Sequence, residues 1–128
     1  MKLDSRVVAA LGLALLWALP AMAADVTGKW KAEFESPVGT QKYTYEFKVE
    51  GTKLSGRAFF ERMGEKGEVE LKDGKVTGDD ISFIEMLDFQ GTPIAIAYTG
   101  KVAGDEIKFI RKVGDFGSEE LVAKRLKE

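Results

Sequence analysis

The chain has 128 residues, a formal net charge of −2, and neither Cys nor His. Zinc, copper and haem sites built on those ligands are therefore excluded, as is any catalytic triad that needs an imidazole. The slightly acidic balance argues against nucleic acid, whose phosphates require a basic face. At the N-terminus Lys2 and Arg6 precede an unbroken apolar run from Val7 to Leu19, and Ala21-Met22-Ala23 supplies a small-x-small sequence. That run is shorter than the roughly 20 residues a spanning helix needs, and it has the layout of a cleavable export signal. Arg6 stands alone, which excludes a twin-Arg signal, and without Cys no lipid anchor can follow cleavage. The reading is a signal peptide over 1–23 and one domain over 24–128, periplasmic or extracellular and not membrane-spanning once cleaved. The remaining 105 residues carry 17 Lys+Arg and 20 Asp+Glu. Such a domain must be stabilised by its hydrophobic core rather than by disulfides.

From Asp25 onward apolar and polar residues alternate, and turn residues punctuate the pattern at short, regular intervals, the signature of an all-β chain. In chain order the alternation predicts strands over 26–35, 42–50, 53–62, 68–77, 80–88, 93–102, 106–113 and 119–127. A bulge is expected at Asp73-Gly74. The connections 36–41, 63–67, 89–92 and 114–118 read as the longer ones, gathered at one end. Between them runs a hairpin repeat, in Val49-Glu50-Gly51-Thr52-Lys53-Leu54, Val76-Thr77-Gly78-Asp79-Asp80-Ile81 and Val102-Ala103-Gly104-Asp105-Glu106-Ile107. Each is a two-residue turn led by Gly, which supplies the positive φ of a tight hairpin.

The repeat sets a register. Phe47 faces Gly56, Tyr45 faces Ala58 and Tyr43 faces Phe60; likewise Gly100 faces Phe109, Tyr98 faces Arg111 and Ile96 faces Val113. Rings lie opposite Gly or Ala, as a tightly curved interior requires, while Glu50–Lys53 and Glu46–Arg57 form a solvated outer face. Short connections in sequence order make an eight-stranded antiparallel up-and-down barrel the expected architecture, since closure removes exposed edges.

Thr27-Gly28-Lys29-Trp30 resembles the Gly-x-Trp opening of the calycin superfamily, which comprises the barrels of lipocalins, fatty-acid-binding proteins and avidins. The resemblance implies structural roles for Gly28, Trp30 and Arg125, with Trp30 plugging one end and Arg125 of the last strand packed across it. The chain is also similar, over its whole mature length, to a functionally uncharacterised group of small exported bacterial domains with the same hairpins. It departs from the ligand-binding calycins, because no helical lid fits between Ser36 and Gln41 and Trp30 is the sole tryptophan after residue 23. No ligand carries over from the resemblance.

Two charges fall on the inward face, Glu85 beside Phe83 and Arg111 beside Phe109, with Tyr98 between them. A lone charge in a barrel is costly, so these residues are expected either to satisfy one another near an open mouth or to hold the head of a small anionic or hydrophobic ligand. Arg111, Tyr98, Glu85, Tyr45, Phe47 and Phe83 are the candidate ligand-binding residues. The inward aromatics leave at most a small cavity. Outward-facing Ile84, Met86 and Ile110 suggest instead a homodimer or an envelope-associated interaction module. No catalytic residue, metal ligand or cofactor motif stands out, and a binding protein rather than an enzyme is expected.

Overall fold

In the computed structural model, which describes residues 23–127, strand alternation is realised over nearly the whole domain. The strands are β1 (Gly28–Ser36), β2 (Gly39–Glu50), β3 (Lys53–Arg62), β4 (Glu65–Glu70), β5 (Lys72–Thr77), β6 (Asp80–Phe89), β7 (Thr92–Ala103), β8 (Glu106–Val113) and β9 (Gly117–Arg125). β4 and β5 are two halves of one strand broken at Leu71, so the sheet is an eight-stranded, antiparallel, up-and-down barrel. β2 pairs with both β1 and β3, and β1 returns to β9, which closes the cylinder. The segment 1–23, read from sequence as an export signal, lies outside the described residues except for Ala23. No described helix is long and apolar enough to cross a membrane.

The register read from the hairpin repeat holds pair by pair, from Val49↔Leu54 to Tyr43↔Phe60 and from Val102↔Ile107 to Ile96↔Val113. Two glycines show why. At Gly56, φ is +153° and a Cβ would lie 1.9 Å from the Glu46 carbonyl oxygen, so the two backbones approach too closely for any side chain. At Gly100, a Cβ would meet the Phe109 ring at 2.6 Å. Aromatic rings fill the space these residues vacate.

The bulge forms where expected. The ladder of β5 on β6 shifts between Lys72 and Lys75, with Asp73 at φ +52°. Here β3 changes partner from β4 to β5. Beyond Ile84 the edge of β6 faces β4, and among the described residues no ladder pair joins them. The barrel wall is therefore split toward that end.

The four connections taken as longer loops are instead short turns, although they do share one end. β1 leads into β2 through Pro37-Val38, β3 into β4 through Met63-Gly64 and β6 into β7 through Gln90-Gly91, each a two-residue turn. Only Gly114-Asp115-Phe116 is longer. The reason is local: Met63 and Gln90 adopt φ of +50° and +54° ahead of a glycine that is also at positive φ. Both positions then suit a tight hairpin, and β4 extends into the polar stretch at 65–67, as β2 does into 39–41 after Pro37-Val38.

The core divides along the barrel axis. At one end Trp30 is fully buried, its indole N–H donating to the Val26 carbonyl at 2.9 Å. The Arg125 guanidinium lies 4.4 Å from the indole centroid and donates to the carbonyls of Thr27 and Asp25 and to the Asp105 carboxylate. Arg125 thus packs on Trp30 at this end of the barrel, with Gly28 beside its guanidinium. Above it sits an aromatic layer in which Tyr45, Phe47, Phe83, Tyr98 and Phe109 have ring centroids 4.4–6.0 Å apart. This half of the interior is filled.

Candidate functional site

Inward positions of neighbouring strands share a depth, so a polar residue at one such position meets those across the barrel. Tyr43 and Tyr45 follow one another on the inner face of β2, Glu85 follows Phe83 on β6, Tyr98 lies on β7, and Arg111 follows Phe109 on β8. The result is a belt of hydrogen bonds across the barrel, above the aromatic layer. Glu85 is fully buried and accepts from the Tyr43 hydroxyl and the Tyr98 hydroxyl, both at 2.9 Å, one on each carboxylate oxygen. Tyr45 donates to the Tyr98 hydroxyl at 3.0 Å. Arg111, 2 % exposed, donates from Nε to the Tyr98 hydroxyl at 2.9 Å, and from its terminal nitrogens to the Tyr43 hydroxyl and to Glu119, both at 3.0 Å. Arg62 adds a bond to the Tyr43 hydroxyl at 2.6 Å and an ion pair with Glu85 at 3.3 Å, its guanidinium lying over the Phe60 ring.

Two guanidiniums thus face two carboxylates through two shared hydroxyls. Each of these charges has an opposite partner, and Glu85 and Arg111, the two most deeply buried, also have several hydrogen bonds, the condition under which burial is tolerated. Burial first, then neighbouring charge, holds the Tyr43 hydroxyl well above its ordinary value of 10.0. Burial does the same to Tyr45 and Tyr98. For Arg111 burial works against the charge, but Tyr98, Tyr43 and Glu85 more than offset it, and the guanidinium is held above its usual range. The three tyrosines and Arg111 therefore stay protonated through neutral pH.

Above the belt the barrel opens. A pocket of about 560 Å³ occupies the end where the four turns gather. Val38, Met63, Phe89 and Phe116 are apolar side chains on its turns, 44–78 % exposed, and Leu87, Ile94 and Val113 lie deeper. Arg111, Arg62, Gln41 and Glu119 bring polar groups to it, with Glu65 and Asp88 at the exposed rim. Gln41 is 5 % exposed, and Ser36 fixes the direction of its amide. The Ser36 hydroxyl donates to the Gly39 carbonyl and accepts from the Val38 N–H, so its contact with Gln41 at 2.9 Å takes the amide N–H as donor. The Gln41 carbonyl oxygen is buried with no described residue donating to it, and the same holds for the second carboxylate oxygen of Glu119.

The residues singled out from sequence fall into two groups. Arg111 joins belt and pocket, and Glu85 and Tyr98 lie in the belt beneath it. Tyr45 ties the belt to the aromatic layer, whereas Phe47 and Phe83 belong to the filled half and do not line the pocket. The interior pocket thus sits higher than the deep aromatics suggested. Four residues were not singled out: Tyr43 as a polar group, Arg62, Glu119 and Gln41. Strand alternation from Phe60 to Arg62 and from Tyr43 back to Gln41 carries the signal for two of them. On the outer face Ile110 is half exposed, but Ile84 pairs with Lys72 and Ile110 with Glu120, and Lys112 stands beside Ala97. Charged side chains interrupt that surface. Comparison with models of known families, with characterised proteins and with solved structures finds no match to this chain.

Proposed function

We propose that the chain is an exported, non-catalytic carrier that holds a small amphiphile in the mouth of its barrel, built on calycin lines around the Trp30–Arg125 plug. The carrying observation is the pocket of about 560 Å³, apolar along its turns and polar at its floor. Its volume lies within the roughly 300–1,000 Å³ typical of small-molecule sites, which combine apolar walls with a few fixed polar groups. The apolar turn side chains, costly to expose together, gain by covering an alkyl chain. The rigid belt gives the head group a pre-ordered floor.

The reading is tested with a neutral solvatochromic dye such as Nile red. Its fluorescence is expected to rise in proportion to protein, to fall back when Ile94→Trp fills the mouth, and to persist in the outer-face variant Ile110→Ser. Dye binding that survives Ile94→Trp, or never occurs, overturns the proposal.

A further inference from the structure

The pocket floor also specifies the head group it would take, an inference that rests on the carrier reading. Arg111 is the obvious anchor for a carboxylate, yet its charge is already met. Its Nε and both terminal nitrogens donate to Tyr98, Tyr43 and Glu119, and Glu85 lies 3.9 Å away. Arg62 is likewise engaged with Tyr43 and Glu85. The floor therefore carries two positive and two negative charges, and Glu65 and Asp88 at the rim add further negative charge. An anionic head would be set against Glu119 and approach past two more carboxylates. An ammonium head would be set against two guanidiniums.

What the floor leaves unmet is a pair of acceptors. The two orphaned atoms, the Gln41 amide oxygen and one Glu119 carboxylate oxygen, are both acceptors and both belong to residues lining the pocket. Leaving a buried acceptor unmet costs about 1–3 kcal/mol, so a ligand that donates to it gains what the apo protein forgoes. A carboxylate donates nothing. Gln41 lies on β2 and Glu119 on β9, strands with β1 alone between them in the sheet, and both residues line the pocket. A head with more than one hydroxyl suits that pair, because each hydroxyl donates to one acceptor while its lone pairs face the guanidiniums. We infer that the site selects a neutral, polyhydroxylated amphiphile, of the monoacylglycerol or alkyl-glycoside kind, over fatty acids and long-chain amines.

The test is displacement of Nile red from the wild-type protein, below micelle formation, by three ligands of one chain length: monodecanoylglycerol, decanoate and decylammonium. Monodecanoylglycerol is expected to bind about tenfold or more tightly than either charged ligand, the worth of one good buried hydrogen bond. In Gln41→Met, which keeps the size and removes the acceptor, that preference, each ligand being measured against the variant's own dye affinity, should fall about tenfold. Decanoate or decylammonium binding as tightly as the glyceride overturns the head-group inference and leaves the carrier reading standing. An undiminished preference in Gln41→Met also overturns it. If the dye binds and none of the three displaces it, both the inference and the amphiphile carrier reading fail.

Discussion

The Arg111 side chain shows how a single buried charge can organise a barrel interior. It bonds to two hydroxyls and one carboxylate on three other strands, so its removal takes from Glu119 its ion-pair partner and leaves Glu85 with Arg62 alone. Arg111→Leu is expected to cost about 3–5 kcal/mol by chemical denaturation, because breaking a buried pair leaves its partner uncompensated. A loss under about 1 kcal/mol, no more than a solvated surface pair contributes, would sink the belt as described. The tyrosines give a second reading of the same belt. The chain has three, Tyr43, Tyr45 and Tyr98, and all are buried with hydroxyl groups held above 10.0. In the unfolded chain they titrate near 10.0, so above that pH the unfolded state binds fewer protons than the folded one, and stability falls as pH rises. Below pH 10 this contribution is fully present. Tyrosinate absorbance should stay flat past pH 10 and then appear together with the loss of circular dichroism. A gradual rise at pH 10 in folded protein contradicts the burial of these hydroxyls.

At the scale of strands, glycines and rings set the curvature jointly. Gly56 faces Phe47, with backbone 1.9 Å from where a Cβ would stand; at Gly100 the nearest atoms there are those of the movable Phe109 ring, and the nearest backbone, the Lys108 carbonyl oxygen, is 3.0 Å away. Gly56→Ala should therefore lower thermal stability much more than Gly100→Ala, whose cost is the about 1–3 kcal/mol of ordinary overpacking. Equal melting temperatures for the two variants would contradict this. The same pairs explain what was legible in the sequence. Gly-led hairpins fix register, register fixes which residues face inward, and so Glu85, Tyr98 and Arg111 could be placed at one depth from the pattern alone. The rest needed turn geometry that composition does not announce. Met63 takes a positive φ seldom adopted by such a side chain, so 65–67 read as loop, while Pro37-Val38 lacks the leading Gly of the hairpin repeat, so 39–41 read as loop and Gln41 dropped out of its strand. Glu119 meets Arg111 only because the turn at Gly114-Asp115-Phe116 holds three residues. Arg62 is the opposite case, since its alternation with Phe60 is plain but a charge at a strand end reads as solvated.

On the scale of the whole molecule, the barrel is a cup. Trp30 and Arg125 seal the base, a layer of rings fills the lower half, the belt forms the floor, and the turns carry an apolar rim. Closure of the sheet, rather than any disulfide, keeps these layers in order. The split between β4 and β6 falls on the mouth side, where a bound chain would need room. The most direct test of this account is backbone amide chemical-shift mapping during titration with monodecanoylglycerol. Perturbations should cluster at Val38, Met63, Phe89 and Phe116, with the Trp30 indole and the turns at Gly51, Gly78 and Gly104 unmoved. Shifts centred on Trp30 and those turns, with the rim unchanged, would contradict the placement of the site.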